Sequence, residues 1–216
     1  MDDSQDFKAI AGQLADIARW AYRKGWAPAT STNYSVRLPE HAAPAFCAIT
    51  SSGVDKETIN PEQVLAVDRI GVPVNGFALE PSAETPLHVM LYRVMGAGAV
   101  LHTHSLAAAL LSRSVGEGSC LTLSGWELLK GLDSIETHDC EIVLPVFPNS
   151  QDIPTLAGHI EARLPLIQPC YGFLLAGHGL YAWGKNLAAA KRHLEVFEFL
   201  LQCEREVRSY GYSANA

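Results

Sequence analysis

Hydrophobic positions recur along this chain with two different periods, and each period predicts a different kind of element. Apolar residues spaced three or four positions apart are typical of amphipathic helices. In the first such segment they are Phe7, Ile10, Leu14, Ile17 and Ala21, and Gly25 is expected to end the helix. The pattern predicts helices over 5–24, 85–95, 106–113, 125–130, 152–163 and 186–208.

Shorter apolar or alternating runs lie between turns that contain Pro and Gly, and these runs predict strands. The predicted strands are 33–38, 46–50, 64–68, 99–104, 141–147, 172–176 and 180–183. The last two flank the turn Gly177-His178-Gly179 and are expected to pair. Such a mixture predicts a sheet between two layers of helices, an α/β/α architecture. The chain contains no internal repeat or linker, so a single domain over 1–216 is expected.

Composition narrows the choice of partners. The net charge of -7 argues against nucleic acid, which needs clustered Lys and Arg, but a few N–H groups and hydroxyls suffice for one phosphate. The start MDDSQDFKAI does not resemble a signal peptide, and no apolar stretch of about 18 residues predicts a membrane span. Five scattered cysteines without a Cys-x-x-Cys pair favour reduced thiols. We therefore expect a cytoplasmic protein.

Two histidines stand two positions apart on a predicted strand. Because side chains alternate along a strand, His102 and His104 share one face and point at one place. Such a pair suits a metal ion. The alternative is a hydrogen-bonded pair of core histidines, which the pair alone leaves open.

A catalytic zinc site usually has three protein ligands and one open position, so a third ligand is expected. His178 is the best candidate, because its flanking glycines let the backbone turn sharply and leave the ring accessible. The competing histidines are His41, His88, His138, His159 and His193. Imidazole ligands suit several divalent ions, so zinc is the first expectation and another metal is an alternative.

Turns rich in hydroxyls and glycine are candidates for binding an anion through a backbone nest. One is the turn 30–33, with Thr30 and Asn33; another is the turn 51–53, with Ser52 and Gly53. Ser82, in a Pro-Ser-Ala segment, is a third candidate. Turns of this kind are common without a ligand, so this pattern alone leaves their role open.

Two glutamates are candidates for proton transfer. Glu84 stands at the start of a predicted helix, where a carboxylate also complements the helix dipole. Glu127 lies between Trp126 and Leu128, apolar neighbours that can desolvate it and raise its pKa. The alternative for Glu127 is an ordinary solvated position on a short helix.

The order of five segments resembles the class II aldolase/adducin family over about residues 8–208. These segments are PATSTNYSVRL, ITSSGVD, PSAETPLH, GAGAVLHTH and LLAGHGLYAWG. The resemblance implies a three-layer α/β/α fold with a central, largely antiparallel sheet. It also implies one metal ion per subunit, most simply zinc, and a homotetramer with active sites between subunits. The implied metal ligands are His102, His104 and His178, and the implied phosphate site is Thr30, Asn33, Ser52, Gly53 and Ser82.

Within the family, the stretch GWELLKG is similar to that of members that dehydrate a phosphorylated ketose in methionine salvage. This resemblance implies that Glu127 is a general acid/base. Glu84 instead matches a glutamate that class II aldolases use in proton transfer or on the metal. The alternatives are therefore an aldolase or epimerase acting on fuculose 1-phosphate or ribulose 5-phosphate, and a non-enzymatic adducin-like interaction module.

Overall fold

The structure, a computed structural model, describes residues 3–74 and 78–211. Every strand in these ranges belongs to one eight-stranded sheet. The helices are α1 (Asp3–Arg23), α2 (Thr85–Val94), α3 (Leu106–Val115), α4 (Ile153–Arg163) and α5 (Leu187–Ser209). The strands are β1 (Asn33–Arg37), β2 (Cys47–Thr50), β3 (Val64–Val67), β4 (Ala99–Thr103), β5 (Cys120–Ser124), β6 (Glu141–Phe147), β7 (Gly172–Leu175) and β8 (Gly179–Gly184).

The strand order is β3-β2-β1-β4-β8-β7-β6-β5. Neighbouring strands pair antiparallel, except for β6 and β7, which pair parallel. The expected largely antiparallel sheet is thus confirmed. In this order β4 lies beside both β1 and β8, which places Asn33 opposite His102 on one side and Tyr181 opposite His102 on the other.

Helices cover both faces of the sheet. One apolar cluster packs α1, α3 and α5 against residues such as Leu101 and Leu180, and a second packs α2 and α4 against Val100 and Phe173. Alternate residues of each strand therefore contribute to different cores, as the pleat of a strand requires. The predicted α/β/α architecture is confirmed.

The predicted elements all occur, with two qualifications. The segment expected as a helix over 125–130 is a 3-10 helix, Glu127–Gly131. Strand β5 was not predicted: only Leu121 and Leu123 point inward, while the residues between and beside them are exposed, so its apolar signal is weak. The five cysteines are free thiols. In the part of the chain that the structure describes, no helix is long and apolar enough to cross a membrane.

Candidate metal centre

Three histidines and one glutamate converge at the end of β4. The potential ligand atoms of Glu84, His102, His104 and His178 all lie within 4.8 Å of one another. The Nε2 atom of His104 is 2.7 Å from that of His102 and 2.8 Å from that of His178. Two unprotonated nitrogens this close repel each other unless a cation or a proton lies between them. The arrangement therefore fits a metal bound by three imidazoles.

Strand geometry explains how residues distant in sequence meet. His102 is in β4, His104 follows directly after it, and His178 is in the turn that joins β7 to β8, the strand paired with β4. Gly177 has a positive φ of 66°, which favours glycine. Gly179 is required for another reason: a Cβ there would lie 2.0 Å from the carbonyl oxygen of Thr103. The glycines around His178 thus allow both the turn and the close approach.

Hydrogen bonds to the other ring nitrogens orient two of the imidazoles. The Nδ1–H of His102 donates to the carbonyl of Leu180 at 3.0 Å, and the Nδ1–H of His178 donates to the Oδ1 atom of Asn149 at 3.1 Å. These bonds place the lone pair of each ring on Nε2, which faces the cluster. Second partners of this kind are typical of metal-binding histidines.

Burial keeps the three rings neutral, as metal ligands must be. It lowers the pKa of His102 well below its ordinary value, with a further contribution from His178. Burial and the two neighbouring rings lower the pKa of His104 to about 3. The pKa of His178 is also lowered by burial, although the charge of Glu84 opposes the shift. At neutral pH all three rings can therefore offer a lone pair.

Glu84 completes the cluster from the opposite side. Its carboxylate oxygens are 3.5 Å from Nε2 of His102 and 3.4 Å from Nε2 of His178. Asn33, opposite His102 in the neighbouring strand, donates from Nδ2 to the carboxylate at 2.8 Å. Glu84 itself lies directly before α2, where its backbone N–H donates to the hydroxyl of Ser82 at 3.2 Å. Glu84 is thus held next to the histidines by its own helix and by β1.

The candidate phosphate turns open onto the same place. A pocket of about 290 Å³ is lined by Thr30, Asn33, Ser52, Gly53, Ser82, Glu84, His104 and His178, together with neighbouring residues. A bridge between Ser51 and Pro81, and a bond from the Ser52 N–H to the Glu80 carbonyl at 2.9 Å, join two of the turns. Asn33 differs from the other candidate phosphate ligands in its hydrogen bonding, because its Nδ2 atom already donates to both Glu84 and Ser82.

The pocket also contains residues that the sequence patterns did not single out. Asn149, Ser150 and Gln151 line it, and Asn149 is the partner of His178. They follow Pro148, the first residue after the largely buried strand β6. A polar turn after an apolar strand was the signal in the sequence that could have identified them.

Lys56 is a second residue that the sequence patterns did not single out. Its side chain is fully buried, and Nζ donates to the carbonyls of Val54 at 2.7 Å and Thr30 at 3.3 Å. Burial lowers the pKa of Lys56 to about 8, so most molecules keep the charge at pH 7. That charge also contributes to the lowered pKa of His104. Lys56 therefore joins the turn 30–33 to Val54, the residue after the turn 51–53, and places a positive charge close to the pocket. A single lysine carries no periodic signal that would reveal this.

The environment of Glu127 contradicts the expectation from its neighbours. Its side chain is 69% exposed, contacts Nζ of Lys130, and lies 3.4 Å from Nδ1 of His138. The hydrogen bond and charge of Lys130 lower the pKa of Glu127 rather than raise it. Of the two interpretations, the desolvated, high-pKa carboxylate is wrong and the solvated position is confirmed, because the flanking residues Trp126 and Leu128 do not cover Glu127. Glu127 is not among the described residues that line the pocket.

The competing histidines have other surroundings. His88 is buried between Asn33 and Ser35, and buried His193 bonds the Trp183 carbonyl and the Asp133 N–H. His138 lies beside Glu127, and the ring of His159 packs against Phe147. Within the described ranges, one group of His, Cys, Asp and Glu side chains can hold a metal, and it consists of Glu84, His102, His104 and His178.

Behind the histidines lies a buried carboxylate of a different kind. Thr103, between His102 and His104, points to the opposite face of the sheet, where its hydroxyl donates to Glu198 of α5. Burial raises the pKa of Glu198 to about 7. Its second carboxylate oxygen has no partner among the described residues.

Fold and site together match a known family. A model of the class II aldolase and adducin N-terminal domain matches residues 12–204. The chain belongs to the class II aldolase and adducin family, which confirms the resemblance drawn from its segments.

Individual relatives are more specific. The chain is 47% identical over 199 residues to a methylthioribulose-1-phosphate dehydratase of Xanthomonas campestris pv. campestris, covering 92% of this chain and 87% of that protein. It is 43% identical over 211 residues to a protein of the same name from Marinobacter nauticus, covering 95% and 97%. Among solved structures, the L-fuculose-1-phosphate aldolase of Thermus thermophilus has a TM-score of 0.71 at 25% identity, covering 97% and 99%.

Proposed function

We propose that this protein is a zinc-dependent dehydratase that converts 5-methylthioribulose 1-phosphate to 2,3-diketo-5-methylthiopentyl 1-phosphate and water, a step of methionine salvage. The observation that carries the proposal is the convergence of three histidine Nε2 atoms in a pocket that also contains the hydroxyl- and glycine-rich turns. The similarity to proteins named methylthioribulose-1-phosphate dehydratase over almost the whole chain selects this reaction within the family.

His102, His104 and His178 would hold the metal. Three neutral imidazoles suit zinc and leave a fourth position for substrate oxygens. When bound, the ion supplies Lewis acidity to the ketone at C2 and the hydroxyl at C3, which acidifies the proton on C3.

The turns around Thr30, Ser52, Gly53 and Ser82 would hold the phosphate on C1. Gly53 has a positive φ of 69°, so its turn can present backbone N–H groups that an extended residue would not. Asn33 would contribute through Ser82 and Glu84, because both hydrogens of its amide are already used there. The buried charge of Lys56 favours a dianion at this position.

Glu127 is the proposed acid/base. It would remove the proton from C3 and give it to the hydroxyl on C4, which leaves as water when the C4–O bond breaks. The resulting enol tautomerises to the diketone, so the proton taken from C3 leaves in the water and no oxidant is needed. A carboxylate with a lowered pKa is ionised at neutral pH and is ready for the first of these steps.

The position of Glu127 bears on assembly. Its side chain is exposed and lies outside the pocket lining of its own chain. In the expected homotetramer with active sites between subunits, Glu127 would act on the metal site of a neighbouring subunit. The exposed carboxylate would then be covered on assembly.

Glu84 favours a second candidate function. An aldolase or epimerase acting on another ketose phosphate would use a carboxylate beside the metal as its base, and Glu84 is 3.4 Å from His178. In the dehydratase, Glu84 would instead complete the metal surroundings. A non-enzymatic, adducin-like role is disfavoured because three converging imidazoles have no purpose in a binding module without a metal.

The two enzymatic functions are separated by incubating the zinc-loaded protein with 5-methylthioribulose 1-phosphate and, separately, with fuculose 1-phosphate and ribulose 5-phosphate. We expect diketone formation from the first substrate, and neither aldol cleavage nor epimerisation of the others at a comparable rate. A higher kcat/KM for cleavage or epimerisation would overturn the proposal in favour of the second candidate. The same assay on metal-free protein gives the background rate.

A further inference from the structure

A row of buried polar side chains leads from Glu84 into the interface between α2 and the sheet. Asn33 contacts Nε2 of His88 through Oδ1 at 2.5 Å, and Nδ1 of His88 contacts the Ser35 hydroxyl at 2.6 Å. The Ser35 hydroxyl contacts the Tyr92 hydroxyl at 2.5 Å. We call Asn33, His88, Ser35 and Tyr92 the polar chain. Each of the four side chains is at most 3% exposed.

Two simple spacings produce this alignment. Glu84, His88 and Tyr92 follow one another at intervals of four residues along α2, so they lie on one face of the helix. Asn33 and Ser35 are two apart on β1 and share one face of the strand. Where this face of α2 meets this face of β1, the polar groups alternate between helix and strand.

The direction of every hydrogen bond in the polar chain follows from its end at Glu84. A carboxylate only accepts, so Asn33 must present Nδ2 to Glu84 and turn Oδ1 toward His88. Nε2 of His88 must then carry the hydrogen and donate. A neutral imidazole has one N–H, so Nδ1 accepts from the Ser35 hydroxyl, whose oxygen is left to accept from Tyr92.

The charge states agree with this order. Burial lowers the pKa of His88 to about 4, against the opposing effect of Glu84, so the ring is neutral at pH 7. Burial raises the pKa of Tyr92 well above its ordinary value, so the phenol keeps its proton. Tyr92, Ser35 and His88 therefore each have one hydrogen available, which points along the polar chain toward Glu84, and Asn33 passes the direction on through one of its two amide hydrogens.

We propose that Tyr92, Ser35 and His88 are positioning residues: they fix the orientation of the Asn33 amide, which holds Glu84 as an acceptor-only carboxylate turned toward His102 and His178. If the amide were reversed, Oδ1 would face the carboxylate and two acceptors would repel. The contribution to turnover rests on the proposed function, in which Glu84 borders the reacting site. The direction of the hydrogen bonds does not depend on it.

The first test is the tautomer of His88, read from two-dimensional ¹H–¹⁵N NMR of histidine-labelled protein, with the His88 signals assigned by their loss in His88→Gln. We expect a protonated Nε2 and an unprotonated Nδ1. In Ser35→Ala the bond from Nε2 to Asn33 remains, so we expect the same tautomer, with an Nδ1 signal altered by the loss of its donor. An Nδ1–H tautomer in the unaltered protein, or an Nδ1 signal that Ser35→Ala leaves unaltered, would overturn the proposed direction.

The second test is turnover of 5-methylthioribulose 1-phosphate by zinc-loaded variants with equal metal content. Since one net hydrogen bond corresponds to about a three- to tenfold effect, Ser35→Ala and Tyr92→Phe should lower kcat by about that factor and change KM less. Tyr34→Phe is the matched control, because Tyr34 is a buried tyrosine of β1 whose hydroxyl lies outside the polar chain. It should leave kcat and the His88 tautomer unchanged.

Rescue by a similar side chain separates positioning from packing. His88→Gln places an amide N–H close to the position of Nε2, whereas His88→Leu fills the space without a donor. We expect His88→Gln to retain clearly more kcat than His88→Leu at similar thermal stability. Equal activity of the two variants would contradict a positioning role. If the unaltered protein does not dehydrate this substrate, the proposed function fails, and the tautomer test alone decides the direction of the polar chain.

Discussion

The surroundings of Glu84 and Glu127 differ in almost every physical respect. Glu84 is largely covered, lies beside three neutral histidines, and accepts from Asn33 at 2.8 Å. Glu127 is 69% exposed on a 3-10 helix, where it contacts Lys130 and lies 3.4 Å from Nδ1 of His138. One carboxylate has a fixed place within its own chain, whereas the other faces outward.

The difference separates the part of the candidate site that a single chain forms from the part that it does not form. The metal ligands, Glu84 and the phosphate turns are brought together by the pairing of β2, β1, β4 and β8 and by the bridge between Ser51 and Pro81, which are internal to the fold. Glu127 gains no such place from its own chain. Under the proposed assembly, the first group would be complete within one chain, and a neighbouring chain would contribute the acid/base.

Removing the metal ligands has the largest expected effect. Replacing both His102 and His104 by Ala should abolish metal binding and activity, because one imidazole and one carboxylate cannot replace a three-histidine site. Metal content by inductively coupled plasma mass spectrometry, beside dehydration rates, measures this. His159→Ala is the control, since this exposed histidine lies outside the cluster. Stoichiometric zinc in the double variant would refute the ligand assignment.

Glu127→Gln should lower kcat by about 100- to 10,000-fold, the usual contribution of one acid/base, while metal content and thermal stability stay unchanged. Glu136→Gln, which alters an exposed glutamate of the same segment, is the control and should be close to unaltered in rate. Turnover near the unaltered rate in Glu127→Gln would remove this residue from the mechanism.

The same variant tests whether Glu127 acts across subunits. When Glu127→Gln is co-assembled with His178→Ala, mixed oligomers contain sites with intact histidines from one chain and Glu127 from another. Activity should return in the purified mixed species, although each variant alone is inactive. If mixed oligomers form and remain inactive, Glu127 acts within its own chain or not at all. The interpretation that Glu84 acts within its own chain and Glu127 across subunits would then be wrong.

Glu198 extends the comparison to a fully buried carboxylate, and its titration should affect the stability of the fold. Its pKa is raised to about 7 from an ordinary value of 4.5, so between these pH values the folded state holds a proton that the unfolded state releases. The free energy of unfolding therefore falls as pH rises through this window, by about 3 kcal/mol in total. Glu198→Gln cannot titrate, so its stability relative to the unaltered protein should increase from pH 4.5 to 8. Urea unfolding across this range measures the difference, and a constant difference would show that Glu198 does not titrate there.

The sequence predicted most of the fold because its signals are local. Helix and strand periods identified the helices and seven of the eight strands, and they missed β5, where only Leu121 and Leu123 point inward. The order of strands depends on pairings between distant segments, and period alone does not reveal these. The mixture of helix and strand patterns predicted the α/β/α layers, the family resemblance supplied the largely antiparallel sheet, and the single domain over 1–216 stays a prediction.

The site was predicted to the extent that it is local or shared with the family. Alternation along β4 paired His102 with His104, whereas His178, far along the chain, needed the resemblance. Lys56 and His88 were not assigned to the site because burial is a property of the folded chain. The same reason explains the wrong environment for Glu127: apolar neighbours in sequence do not cover a side chain unless the fold turns them over it.

Gly179 has a consequence for how freely this segment can vary. A Cβ at this position would meet the Thr103 carbonyl at 2.0 Å, inside a strand pair that also carries His102. Even alanine would push β8 away from β4. His178, directly before β8, would then move away from His102 and His104. In a saturation library, Gly179 should therefore tolerate as few replacements as the histidines themselves, although it has no side chain with which to bind anything.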